Sequence, residues 1–124
     1  MPQYQAPLAD INFILNDVLD AGRIASLPGY EEFSADLAGQ ILEEGAKICG
    51  EVLFPLNQPG DKEGCHFNQG EVKTPAGFIE AYQTFREGGW CGLACDPTYG
   101  GMGMPQVLNT AMKEMICSAN MSFG

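Results

Sequence analysis

Cys65-His66 and Cys91-x-x-x-Cys95 are the first places where this chain could do chemistry. Thiolate and imidazole groups hold zinc, and a thiol beside a base can act as a nucleophile. Structural zinc needs four ligands, usually as two close pairs, and the chain holds one histidine. Adjacent Cys and His side chains point apart, and the base of a cysteine nucleophile normally arrives from distant sequence. The residues therefore favour neither, and neither a metal site nor a catalytic residue is assigned. Gly100-Gly101-Met102-Gly103 is glycine-rich and precedes a helical pattern. It is not Gly-x-Gly-x-x-Gly after a strand and lacks the Lys-Ser/Thr of a phosphate loop. A turn that needs unusual backbone freedom at Gly100, Gly101 and Gly103 is the better reading. Glu31-Glu32 and Glu43-Glu44 are neighbours, so their carboxylates do not face each other on a helix and read as solvated faces. Glu114 lies beside an apolar stripe and reads as a packing or ion-pair residue. Met102, Met104, Met112, Met115 and Met121 could line an adaptable apolar pocket, although on a helix stripe core packing is the default.

Composition limits what these residues can serve. The 124 residues suit one domain with a core, and 45% of them are hydrophobic. Six Lys and Arg stand against sixteen Asp and Glu, a formal charge of −10. Nucleic-acid backbones and anionic membranes are held by clustered Lys and Arg, so neither is an expected partner. Any phosphate-bearing ligand must find its positive charge elsewhere. No apolar run reaches the roughly 20 residues of a spanning helix. The opening Met1-Pro2-Gln3-Tyr4-Gln5-Ala6-Pro7 lacks the charged and apolar regions of a signal peptide. Five cysteines form no paired framework, which suits reduced thiols in the cytoplasm.

The elements that must position these residues read as four helices, an all-α bundle. Asp10 caps the first, with Ile11, Ile14, Leu15 and Val18 on one face and Gly22 near its end. Ser34 caps the second, with Asp36 in its first turn. The stripe of that helix is Leu37, Ile41, Ile48 and Val52, widened by Leu42, Cys49 and Leu53. Gly39, Gly45 and Gly50 weaken its intrinsic helicity and allow a neighbour close, and Pro55 ends it. Residues 56–73 form a long polar connection in which Asn68-Gln69-Gly70 turns a short hairpin. Thr74-Pro75 starts the third helix, whose inward face is Phe78, Ile79, Tyr82 and Phe85. Gly88-Gly89 stops it, and Trp90 is a core anchor. The fourth opens at Pro105 and buries Leu108, Ala111, Met112, Met115, Ile116 and Ala119. It closes on Asn120-Met121-Ser122-Phe123-Gly124, where the chain looks cut rather than finished.

Three segments converge on a family: Gly88-Gly89-Trp90-Cys91-Gly92-Leu93, Asp96-Pro97-Thr98-Tyr99-Gly100-Gly101-Met102-Gly103-Met104-Pro105, and Glu114-Met115-Ile116-Cys117-Ser118-Ala119-Asn120. Together they resemble the N-terminal helical domain of acyl-CoA dehydrogenases. The opening, with Asp10, Phe13, Leu15, Asp17, Val18 and Leu19, is similar to an extension of a larger subgroup. That subgroup contains enzymes similar to 3-methylmercaptopropionyl-CoA dehydrogenase. The resemblance divides the chain into an extension with the first helix, 1–30, and a helical domain, 31–124. It implies a longer flavoprotein of fatty-acid metabolism that oxidises an acyl-CoA to the 2,3-enoyl-CoA. A glutamate base and most FAD contacts would lie on middle and C-terminal domains absent from this chain. Full-length homo-oligomers and an electron-transfer partner are implied in the same way. The share of this chain is one wall of the acyl pocket, and Asn120, Met121, Ser122, Phe123 and Gly124 match the positions that line it. The competing expectation is a stand-alone acidic helical module that binds a protein partner.

Overall fold

The computed structural model describes residues 3–124; Met1 and Pro2, part of the opening quoted above, lie outside the described residues. Among the described residues are five α-helices and one small hairpin: α1 Leu8–Phe13, α2 Ala35–Ile48, α3 Phe54–Glu63, β1 His66–Asn68, β2 Glu71–Lys73, α4 Phe78–Glu87 and α5 Gln106–Ala119. The all-α expectation holds, with one more helix than the pattern predicts.

α1 runs on through a π turn, Ile14–Val18. Pro7, not Asp10, occupies its N-terminal flank. Ile11 and Leu15 are buried, but Ile14 and Val18 are exposed. The predicted face is therefore halved: the helix lays a narrow seam on α2 and turns the rest outward. Its stop is Asp20, in the left-handed region at φ 48°, while Gly22 lies inside the following 3-10 helix Ala21–Ser26.

α2 starts as expected. The Leu37 amide donates to Ser34 Oγ at 3.1 Å, which satisfies one of the free donors of the first turn. Its buried seam is Ala38, Leu42, Gly45, Cys49 and Leu53, so Leu37, Ile41, Ile48 and Val52 are only half-buried. The seam falls on the residues read as its margin, because Gly45 lets α5 approach most closely there. A Cβ at Gly45 would stand 2.5 Å from Met112 Sδ.

Pro55 does not end this helix. A π turn, Cys49–Leu53, carries the chain directly into α3, where Pro55 occupies the first turn and Pro59 lies in the interior. Proline lacks the amide that a helix interior needs, so the run stays helical through two positions that cannot donate a ladder bond. The polar connection is thus half helix. Gly64, at φ 68°, closes α3. The hairpin follows with Phe67 opposite Val72, and Gln69 and Gly70 both at positive φ, as a two-residue turn of this hand requires.

Thr74-Pro75 opens a turn rather than α4, which begins at Phe78 after Gly77 at φ 87°. A Cβ at Gly77 would come within 2.7 Å of Leu56, so the chain bends there before the helix can start. Only Ala81 is buried on α4; Phe78 and Phe85 are half-buried, and Ile79 and Tyr82 face outward. The helix lies at the margin of the bundle and packs mainly on the short turn after it. Gly88 and Gly89 end it, Gly89 at φ 80°. Trp90 is half-buried and packs against the core. α5 buries all six residues of its predicted stripe. It crosses α2 and the second π turn, and Leu42, Leu53, Met112 and Met115 meet there at the centre of the core.

Candidate functional site

The glycine loop spends its amides on itself. The amides of Gly101, Met102, Gly103 and Met104 donate to the carbonyls of Asp96, Gly92, Cys95 and Leu93 at 2.9–3.1 Å. Thr98 N donates to Asp96 Oδ1 at 2.8 Å, and that bond holds the Asp96 carboxyl below its ordinary pKa. Gly100 and Gly103 take positive φ, and a Cβ at Gly101 would run into the Cys95 backbone. Both the expected backbone freedom and its reason are therefore visible. No amide is left over to cradle a phosphate.

A cleft of about 1130 Å³ lies at the other end of α5. One wall is α3, with Phe54, Pro55, Asn57, Pro59 and Gly60; the floor and far side are Pro75, Phe78 and Cys65; Met121 and Ser122 close it. Gly60 is buried under the Phe78 ring, where a Cβ would stand 2.6 Å from the ring edge. The lining is mostly apolar, with the amides of Asn57 and Gln58, the hydroxyls of Thr74 and Ser122 and one carboxylate, Asp61. Such a site holds an uncharged chain by burial and orients it by a few polar groups.

Of the five residues read from the sequence as pocket-lining, the structure brings two to this cleft. Met121 is exposed at its mouth and Ser122 stands beside it. Asn120 is 1% exposed and lies behind them. Its Nδ2 donates to the Leu53 carbonyl at 3.0 Å, and its Oδ1 accepts from Ser122 Oγ at 2.7 Å. Phe123 turns inward and meets Phe85 edge-on, with ring centroids 5.4 Å apart. Gly124 sits against Cys117 and Ile116. The α3 wall escaped the sequence reading. Its signal was Phe54-Pro55, which fits the first turn of a helix as well as it fits a stop.

A second cleft, of about 920 Å³, runs beside the strap of residues 3–6 along α2, between Gln3, Tyr4, Glu43, Lys47 and Glu51. The Tyr4 ring packs on Phe54 with centroids 6.2 Å apart. Its hydroxyl is buried without a hydrogen bond. Burial, reinforced by Cys49 and Glu114, raises its pKa. Burial alone pushes the Cys49 thiol up to about 12. All five cysteines are free, and among the described residues no three His, Cys, Asp or Glu side chains gather as a metal site. No helix among them is long and apolar enough to cross a membrane.

The chain is similar to part of several known proteins. The chain is 40% identical, over 98% of its length, to a 3-methylmercaptopropionyl-CoA dehydrogenase of Ruegeria pomeroyi. It is 33% identical over 64% of its length to a butyryl-CoA dehydrogenase of Syntrophomonas wolfei. A broad-specificity linear acyl-CoA dehydrogenase of Mycobacterium tuberculosis is 25% identical over 97% of the chain. The match takes in 21%, 14% and 20% of these relatives, so the chain spans about a fifth or less of their length. No protein-family model matches it.

Proposed function

We propose, on the premise that this chain is homologous to part of the acyl-CoA dehydrogenases, that it is the helical N-terminal unit of such an enzyme. In this reading the whole protein oxidises an acyl-CoA thioester to the 2,3-enoyl-CoA in the cytoplasm. Residues 1–30 extend the helical domain 31–124. The cleft bounded by α3, Phe78, Met121 and Ser122 is the share of this chain in the acyl-chain pocket. The observation that carries the reading is the 40% identity across 98% of the chain. The apolar lining of the cleft and the arrival of Met121 and Ser122 at its mouth support it.

The glycine loop offers FAD no phosphate cradle. Its pyrophosphate would need free amides or cations, and the glycine loop has already used its amides internally. In this reading the flavin, the catalytic base and the docking site for an electron-transfer partner lie on the parts of the enzyme beyond this chain.

The test is direct. The longer protein that carries this sequence should purify yellow and reduce a dye when given acyl-CoA. Residues 1–124 alone should do neither. A colourless longer protein, inert towards every acyl-CoA, would sink the reading.

A further inference from the structure

Asn120 is the one polar residue buried as a whole among the described residues, and its two side-chain bonds run to the start of α3 and to Ser122 on the closing wall. Nδ2 reaches 67 positions back along the chain to Leu53, the last residue of the π turn and the one before the α3 wall begins. Oδ1 takes the hydroxyl of Ser122, beside Met121 on the closing wall. Its backbone is tied as well: Asn120 N donates to Ile116 at 2.8 Å, and its carbonyl accepts from Phe123 and Gly124 at 3.1 and 3.3 Å. Leu53 closes the π turn and immediately precedes α3, so a bond to its carbonyl holds the start of that wall. Hydrogen bonds inside a protein hold geometry strongly, because a buried polar group with no partner is costly.

We propose that Asn120 is a positioning residue that fixes the separation of the two cleft walls and thereby sets which acyl-chain lengths the pocket accepts. This rests on the acyl-chain reading above. Asn120 touches no chain itself. It acts through Leu53, which anchors the start of α3, and through Ser122. Removing the amide donor lets the α3 wall drift from the Met121–Ser122 wall, which widens the cleft and favours longer chains.

The experiment uses the longer enzyme that carries this sequence. Asn120→Asp keeps an acceptor for Ser122 and loses the donor to Leu53; Ser122→Ala, at an exposed site that should fold normally, releases the other arm. Met112→Ala serves as a core-destabilised control away from the cleft. The readouts are kcat/KM across straight-chain acyl-CoAs from short to long, the melting temperature, and amide exchange at residues 54–61 and 121–124. A pocket that gains room for a methylene or more shifts discrimination about tenfold or beyond. Asn120→Asp should therefore raise the long-to-short ratio by about that factor. Ser122→Ala should move it the same way by less, and Met112→Ala should lower the melting temperature without moving it.

An unchanged ratio in both cleft variants, with melting temperature alone reduced, overturns the proposal. If Asn120→Asp does not fold, the Ser122→Ala ratio decides by itself. If the wild-type enzyme oxidises no acyl-CoA, the acyl reading and the chain-length role fall together. Exchange then decides the clamp separately: faster exchange confined to 54–61 and 121–124 upholds it, and uniform or absent change rejects it.

Discussion

α5 and the run from α2 to α3 cross at the centre of the molecule, yet they are made helical by different means. α5 is an uninterrupted helix of fourteen residues with a continuous buried stripe and no side-chain cap. The α2–α3 run carries four glycines, a π turn and two prolines, and starts from a side-chain cap. In α5 the spacing of apolar residues is sufficient explanation. In the other run local preference opposes continuity, and tertiary contacts impose it: Gly45 under Met112, Leu53 tied to Asn120, Gly60 under Phe78. A helix held from outside can place its irregular turn where a cleft needs a wall.

The largest effects should separate the seam of the second run from its sequence-read stripe. Leu42 and Met115 are fully buried where the helices cross, whereas Ile41 is half-buried. Leu42→Ala and Met115→Ala should each cost about 2–5 kcal/mol in denaturant unfolding. Ile41→Ala should cost clearly less than either. Equal losses at Ile41 and Leu42 would show that the face of α2 has been placed wrongly.

Gly60 tests whether α3 is held by packing. A Cβ there meets the edge of the Phe78 ring, which covers this part of α3. Gly60→Ala gains helix propensity, yet overpacking of this kind costs about 1–3 kcal/mol, so the variant should be net destabilised. A stabilised Gly60→Ala would mean that local propensity governs α3 after all.

These contrasts explain what could be read in advance. α5, the Ser34 cap, the hairpin turn and the Gly88-Gly89 stop were legible because each is a local pattern with one cheap solution. Pro55 as a stop, Thr74-Pro75 as a start and the face of α4 were misread, because non-local contacts decided them. The candidate site divides likewise. The tail after α5 was located, but the sequence could not say that Asn120 faces inward to Leu53, 67 positions away. Nor could it place α3 opposite Met121, since that depends on continuing through a π turn.

The alkaline limb of stability probes the π turn. Cys49 opens that turn and is fully buried, with its thiol pushed from 9.0 to about 12. A raised acid pKa means that the unfolded chain gives up its proton first as pH rises. The contribution is therefore complete below pH 9 and is lost progressively between pH 9 and about 12. The slope from this one proton is about 1.4 kcal/mol per pH unit within that window. Tyr4, raised by burial in the same region, acts in the same direction. Cys49→Ala should flatten the limb in denaturant titrations at stepped pH, and an unaltered slope would show that the thiol is not held in the interior.

The smallest expected effect falls at the start of the same run. Ser34 Oγ accepts from Leu37 N, and α5 has no equivalent side-chain bond. If the α2–α3 run needs help at its ends while α5 does not, removing that oxygen should be felt locally. Ser34→Ala should cost about 1 kcal/mol and quicken amide exchange in the first turn of α2, around Leu37. Exchange at Met112 and Met115 should hardly change, because those amides are protected by the buried stripe. Should the first turn of α2 keep its protection without Ser34, packing alone suffices at both ends of the crossing. The difference between the two helices would then lie only in the π turn and the prolines that follow it.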